Sequence, residues 1–236
     1  RSTPIKSSAA SDVYKRQLVN QLLDISKIKS NANDLKWRNG DITTYISMVV
    51  ASYNTYARNK DITLLMHYDE NVVMDFVPDY AHKVIDNLLS NAFKFTHALG
   101  QVDVYVVRVG NILHIDVNDT GEGMDNKTMD NVFKAFYQGP SDSQNLGTGV
   151  GLSLVKHIME SVHGTISVES QVGKGTKFHI EIAITNNCDV QLEEKDMEFD
   201  PVTPVEQKEL KDSDAKASQY LSLIHISEPT RLRCIS

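Results

Sequence analysis

The segment on either side of Gly110-Asn111 constrains the fold more than any other. Val102 to Val109 and Ile112 to Val117 alternate apolar and polar residues around a two-residue turn, the pattern of an antiparallel hairpin with one face buried. The segment just before it has a different period. From Val84 to Thr96, Ile85, Leu88, Leu89 and Ala92 recur at helical spacing, which predicts an amphipathic helix whose apolar stripe needs a sheet to cover. Strands are also predicted at Ile62 to His67, Val72 to Phe76, Ile166 to Glu169 and Phe178 to Ile184. Helices are predicted through Ile46, Val49, Val50 and Tyr53 and from Val150 to Val162. Asp41 or Thr43 is placed to cap the first of these, and Pro78-Asp79 to break the chain and cap the helix that follows. Hairpins mixed with helices imply an α/β (α+β) two-layer sandwich, a helical layer lying on one face of a mixed sheet.

Before these elements, Leu18, Leu22, Ile25 and Ile28 share a helical face, and Asn39-Gly40 is expected to stop that helix. From Thr185 to Tyr220 the chain is acidic and lacks a sustained apolar period, as a linker would. The 236 residues are 41% hydrophobic and 23% charged, enough for one globular core with appendages. A net charge of -7 gives no general attraction for nucleic acid, so an anionic ligand must be held locally. The only cysteines, Cys188 and Cys234, exclude a disulfide framework and suit a reducing cytoplasm. There is no internal repeat.

The two ends read as translated adaptor DNA. Asp12-Val13-Tyr14-Lys15-Arg16-Gln17 can be written GAT GTG TAT AAG AGA CAG, whose reverse complement encodes Leu-Ser-Leu-Ile-His-Ile, the string from Leu221 to Ile226. The string also resembles the inverted end of a common transposon-based sequencing adaptor. The expected division is therefore 1–17 artefact, 18–39 the end of a helical hairpin, 40–185 the main domain, 186–220 acidic linker and 221–236 artefact.

Four elements carry chemistry. On the helix Val84 to Thr96, Asn87, Asn91 and Lys94 share the face opposite the apolar stripe. Amide oxygens can complete a magnesium shell and a lysine can meet phosphates, although taken alone the pattern also describes a solvated helix face. Asp119-Thr120-Gly121-Glu122-Gly123 then follows a strand, where a carboxylate could accept from an exocyclic amine such as adenine's and glycines admit a close ligand. Gly147-Thr148-Gly149-Val150-Gly151-Leu152 leads into a helix whose free N–H groups favour phosphate. It matches neither the Rossmann nor the Walker pattern. Gly173-Lys174-Gly175-Thr176 alone reads as a hairpin turn.

In this order the four elements resemble the N box, the two glycine boxes and the final Gly-x-Gly-Thr turn of the sensor histidine kinases, the GHKL superfamily. Val132-Phe133-Lys134-Ala135-Phe136-Tyr137-Gln138 resembles the family's F box, and Leu22-Leu23-Asp24-Ile25-Ser26-Lys27-Ile28 the end of its dimerisation hairpin. The resemblance spans about Leu18 to Thr185. It implies a Bergerat-type ATP-binding fold preceded by a helix fragment, with ATP and Mg2+ as cofactors. Asp119 then falls on the adenine-binding aspartate and Asn91 on the magnesium ligand, while Asn87 and Lys94 serve the phosphates as catalytic positions. Gly121 and Gly123 line the nucleotide, Gly147, Gly149 and Gly151 form the lid hinge and phosphate approach with Leu152 as a further cofactor-binding position, Thr176 supports the adenine pocket, and Phe133 and Phe136 anchor the lid. Gln138 stands where some members carry a lid arginine, and Phe95 replaces a frequent tyrosine.

Gyrase, mismatch-repair and chaperone ATPases share the fold but carry a hydrolytic glutamate one turn before the magnesium asparagine. Here that position is Asn87, and an amide is no general base. A docking module without enzymatic activity is the other alternative, opposed by the intact Asn91, Asp119 and glycine boxes. The resemblance further implies a phosphoaccepting histidine on the hairpin's first helix, a response-regulator receiver domain, which the acidic linker would allow in the same parent chain, and a homodimeric, cytoplasmic parent that a membrane segment could anchor. None of the eight histidines is followed by the acidic residue usual in that context, so this chain alone is expected not to phosphorylate itself.

Overall fold

The computed structural model describes residues 18–28, 35–139 and 148–197. Both suspected adaptor segments and Gly147 lie outside the described residues. After a helical stretch at 18–28 come β1 (Arg38–Asp41), α1 (Ile42–Ser52), α2 (Asn54–Asn59), β2 (Thr63–Tyr68), β3 (Val73–Phe76) and α3 (Pro78–Phe95). They are followed by β4 (Gln101–Val109), β5 (Ile112–Asp119), α4 (Asn126–Met129), α5 (Gly151–Ser161), β6 (Thr165–Gln171) and β7 (Gly175–Ala183).

Five strands form one mixed sheet in the order β2-β4-β5-β7-β6. β2 runs parallel to β4 and the other pairs are antiparallel. Period-2 alternation does the sorting. Val104, Val117 and Phe178 stand in register across three strands, as do Val106, Ile115 and Ile180, and all six are buried. They face the apolar stripe of α3, where Ile85, Leu88, Leu89, Ala92 and Phe93 are at most 2% exposed, and that of α5, with Leu154, Val155 and Ile158. Each of these side chains larger than alanine contributes about 1.5–3 kcal/mol by leaving water. The expected two-layer sandwich is therefore present.

Phe93 is the centre of an aromatic group on the α1 side. Its ring stacks on Tyr53 at 5.5 Å and meets Tyr56 edge-on at 5.4 Å. The Tyr53 hydroxyl donates to Asp86 Oδ1 at 2.5 Å, fastening the end of α1 to α3. Burial pushes the Asp86 carboxyl up to about 6, against the Tyr53 hydrogen bond that lowers it.

Several local expectations are corrected. Asn39-Gly40 does not stop a helix. Both residues belong to β1, which pairs antiparallel with β3, and Asn39 donates to Asp75 Oδ1 at 2.8 Å. Strand pairing there outweighs the helix-stop signal of Asn-Gly. Asp41 is the cap of α1, accepting from Thr44 N at 3.1 Å, while Thr43 is buried and accepts from Val72 N. The cap position of α3 is Val77, with Pro78 and Asp79 already in the first turn, where an acidic side chain suits the helix dipole. The short α2 was not foreseen.

The stretch from Asn186 to Met197, read from the sequence as the start of a linker, packs along β1 instead. Asn39 N donates to Val190 O, Leu192 N donates to Asn39 O, and Arg38 Nε meets Asp196 Oδ2 at 2.8 Å. β1 has a free edge, and main-chain pairing satisfies it where composition showed only acidity. The helical stretch 18–28 is likewise not wholly without partners. Ile28 is buried, Ile25 packs against the core and Asp24 pairs with Lys83 at 3.0 Å, while Val19, Leu22 and Leu23 remain exposed.

Candidate functional site

At one end of the sandwich the sheet and α3 part to leave a cavity of about 440 Å³, within the range of sites that enclose a small organic ligand. The polar face of α3 forms one wall with Asn87, Ser90, Asn91 and Lys94, all half-buried. The ends of β5 and β7 form the floor. There Asp119 and Thr176 stand directly opposite each other in register, with Phe178 beside them. Met124 and Asp125, with Thr128, Val132, Tyr137, Gln138 and Gly139, form the second wall, and Glu122 and Gly123 join it to the floor. Thr148, Gly149, Gly151 and Leu152 close the side where α5 begins.

Asp119 is 9% exposed. Its Oδ1 accepts from Gly121 N at 2.8 Å. Burial pushes the carboxyl up to about 6, although backbone hydrogen bonds from Gly121 and Thr176 pull the other way. A sequestered acceptor of this kind, beside an apolar ring, suits an amine-bearing heterocycle. Ser170 holds the floor together. Its hydroxyl donates to Gly175 O at 2.8 Å, accepts from Met124 N at 2.8 Å, and lies 3.0 Å from Thr176 Oγ1.

Two glycines make this floor possible. Gly175 has φ +101°, and a Cβ there would lie 1.8 Å from Asp119 O; Gly123 has φ +68°, and its Cβ would meet Gln171 O at 2.0 Å. Only glycine combines the left-handed conformation with such close backbone approach.

At the opposite end, Asn87 Nδ2 donates to Lys83 O at 2.6 Å. A Cβ on Gly151 would meet Asn87 Oδ1 at 2.5 Å, so the glycine lets α3 and the start of α5 approach. The Lys94 ammonium lies 5.0 Å from the Phe95 ring centroid. The Asn87 carboxamide and the start of α5 thus meet where an anion could sit, with Asn91 and the Lys94 ammonium further along the same helix wall towards the buried carboxylate.

Of the residues singled out from sequence, Asn87, Asn91, Lys94, Asp119, Gly123, Gly149, Gly151, Leu152 and Thr176 line this one cavity. Gly121 lies behind the lining and acts through its hydrogen bond to Asp119. The expected pair of aromatic anchors is corrected to one. Phe133 meets Phe178 edge-on at 6.2 Å, but Phe136 is 58% exposed at φ +65°, with its N–H bonded to Gly149 O at 2.8 Å. Sequence reasoning missed Gln21, Ser90, Met124, Tyr137 and Val172 as lining residues. Gln21 accepts from Thr148 Oγ1 at 2.5 Å across 127 positions, a contact without a local signal. Ser90 lies on the polar face of α3, between Asn87 and Asn91, and was within reach of the same argument.

A mixed sheet under a helical layer, opening at one end onto amides, a lysine and a buried aspartate, defines the Bergerat class of ATP-binding domains. Residues 77–186 match the family described as histidine kinase-, DNA gyrase B- and HSP90-like ATPase. The chain is 32% identical to the sensor histidine kinase TmoS of Ectopseudomonas mendocina over 170 residues, 70% of this chain and 17% of that protein. It is 28% identical to histidine kinase P4 of Formosa agariphila over 174 residues, 71% of this chain and 13% of the other. In fold it is similar to the Acinetobacter baumannii histidine kinase AdeS, with a TM-score of 0.64, 21% identity and coverage of 79% and 87% of the two chains. Residues 77–186 form a GHKL-type ATP-binding domain of the kind found in sensor histidine kinases. It spans less than a quarter of the length of these curated relatives. No helix among the described residues is long and apolar enough to cross a membrane.

Proposed function

We propose that this domain binds ATP with magnesium and transfers the γ-phosphoryl group to a histidine of a dimerisation domain in two-component signalling. The observation that carries the reading is the convergence of Asn87, Asn91 and Lys94 on α3 with Asp119 at the end of β5 around one cavity. Asp119 accepts a hydrogen bond from the adenine amine, with Thr176 and the glycines Gly121 and Gly123 shaping the floor. Asn91 holds magnesium through its amide oxygen, and Asn87 and Lys94 orient the phosphates beside the start of α5. Magnesium supplies charge neutralisation at the phosphate oxygens when bound.

This chain's own contribution is positioning and exclusion of water. Asn87 stands where related ATPases place a general base; its amide cannot take a proton from water, which favours transfer to a nitrogen nucleophile over hydrolysis. Gly149 and Gly151 permit the wall carrying Phe133 to close over the phosphates. The accepting histidine belongs to a hairpin whose second helix ends in the stretch 18–28, and a receiver-domain aspartate takes the phosphoryl group next. Relatives described as hybrid signal transduction kinases exist in Dictyostelium discoideum, which supports a receiver in the parent chain. We place the domain in the cytoplasm of a homodimeric parent, with no role for nucleic acid.

Titration calorimetry with Mg-ATP tests the site, and γ-labelled ATP tests the transfer. Binding without self-labelling, together with acid-labile label on a separately supplied acceptor hairpin, is the expected result. Acid-labile label on this chain alone would overturn it.

A further inference from the structure

The sheet face turned away from the helices carries a second constellation. His114 and Asp116 on β5 stand opposite Glu181 and His179 on β7 in register, so four chemically active side chains form a square on two adjoining strands. His114 Nδ1 lies 3.5 Å from His179 Nε2 and 3.6 Å from Glu181 Oε1, and His179 Nε2 lies 3.3 Å from the same oxygen. Three donor atoms thus make a nearly equilateral triangle. Zinc bonds to imidazole and carboxylate of about 2.0–2.1 Å require ligand atoms about 3.3–3.4 Å apart at a tetrahedral centre. The triangle has that size already.

The neighbours orient the donors correctly. His179 Nδ1 is hydrogen-bonded to Asp116 Oδ1, and Asp116 is held in turn by Lys177 Nζ at 2.9 Å. With its Nδ1 proton donated to Asp116, His179 presents a lone pair at Nε2, the carboxylate–histidine arrangement that supports metal ligation. Glu181 Oε2 is engaged by the Thr165 hydroxyl at 3.4 Å, which turns Oε1 towards the histidines. All three donors are partly exposed, so an ion has a path from solvent and room for water as a fourth ligand. A plain His–carboxylate network accounts for the Asp116–His179 pair. His114 adds a third donor atom, since its Nδ1 faces both a second imidazole nitrogen and the carboxylate.

We propose that His114 Nδ1, His179 Nε2 and Glu181 Oε1 form a binding site for a divalent transition-metal ion, zinc being the expected occupant for two imidazoles and one carboxylate. The site is separate from the nucleotide cavity, since it uses the opposite face of β5 and β7. It clamps the two strands whose ends carry Asp119 and Thr176.

The full chain, freed of metal with a chelator, is titrated with zinc chloride in a calorimeter, and its cobalt(II) complex is examined for visible absorption bands of tetrahedral type. One ion per chain is expected. His114→Gln and His179→Gln should each weaken binding by more than about tenfold, and Asp116→Asn by about 10- to 100-fold. His67→Gln, on another strand of the same sheet, should leave binding unchanged. Circular dichroism and retained Mg-ATP affinity certify that each variant is folded; if His114→Gln is not, His114→Asn replaces it. No zinc binding by the wild-type chain, or binding that survives both histidine substitutions, overturns the proposal.

Discussion

The two walls of the nucleotide cavity are built on different terms. The floor and the α3 wall are over-determined: Leu88, Leu89 and Phe93 are fully buried behind the polar face, and Gly175 and Gly123 sit where no larger residue fits. The opposite wall, from Met124 to Gly139, has a four-residue helix with Thr128 as its single buried residue, one aromatic anchor in Phe133 and an outward ring in Phe136. A site with one fixed wall and one loosely held wall can read a base with precision and still admit and release a bulky polyphosphate. Rigid groups preorganise recognition, and weakly packed segments open first.

The largest effects should come from putting the same methyl group into each wall. Gly175→Ala places a Cβ against the Asp119 carbonyl at φ +101°; steric overlap added to backbone strain of about 1–3 kcal/mol should cost at least about 3 kcal/mol or prevent folding. Gly149→Ala meets Phe136 and Tyr137 backbone at 2.9 Å at φ +68°, but that wall can shift, and a loss of about 1–2 kcal/mol is expected. Urea denaturation of both variants measures the difference. Equal losses would break the contrast between the walls.

Asp119→Asn separates recognition from stability on the fixed side. Losing a charged acceptor should weaken Mg-ATP binding by about 10- to 150-fold, from about 1.5–3 kcal/mol for such a hydrogen bond. Asn91→Ala should remove the magnesium dependence instead. The ligand-free stability of Asp119→Asn should move the other way. Because burial raises the Asp119 carboxyl to about 6 from 3.8, its favourable contribution to folding is full below 3.8 and is lost as pH rises through about 6. At about 1.4 kcal/mol per pH unit the loss is at most roughly 3 kcal/mol. The asparagine variant should therefore be more stable than the parent at pH 7.5, with the gap vanishing near pH 4. Denaturation at the two pH values checks this, and a pH-independent gap would assign the effect to packing.

The fixed wall was largely legible in the sequence and the loose wall was not. Asn87, Asn91 and Lys94 announce their common face by spacing alone, and strict alternation put Phe178 and Ile180 towards the core. Their regularity comes from helices and strands, whose periods are set by backbone geometry. Asp119 and Thr176 needed register as well, which the motif order supplied. The loose wall depends on where individual rings turn, and the Phe136 N–H bond to Gly149 has no counterpart in local sequence. β1 escaped for a related reason. Asn-Gly is a strong local stop signal, whereas pairing with β3 and with Val190 is non-local. The outer-face histidines, 65 positions apart, met only through the pairing of β5 with β7.

Among the aromatic residues of the loose wall, Phe133 and Phe136 offer the finest test. Phe133 is half-buried against Phe178, so Phe133→Ala should cost about 1–2 kcal/mol, below the 3–5 typical of a fully buried phenylalanine, and should raise hydrogen exchange through Met124 to Gly139. Phe136 buries little and sits at φ +65°, where a non-glycine residue carries about 1–2 kcal/mol of strain. Phe136→Gly relieves that strain, but the unfolded chain gains freedom worth about 0.4–1 kcal/mol. The two terms oppose, and the net change should stay within about 1 kcal/mol, on the stabilising side. Mg-ATP affinity should hold within about twofold, since the ring points away from the cavity and the Gly149 contact is made by the backbone. A Phe136→Gly variant destabilised as much as Phe133→Ala would show that the exposed ring is a second anchor.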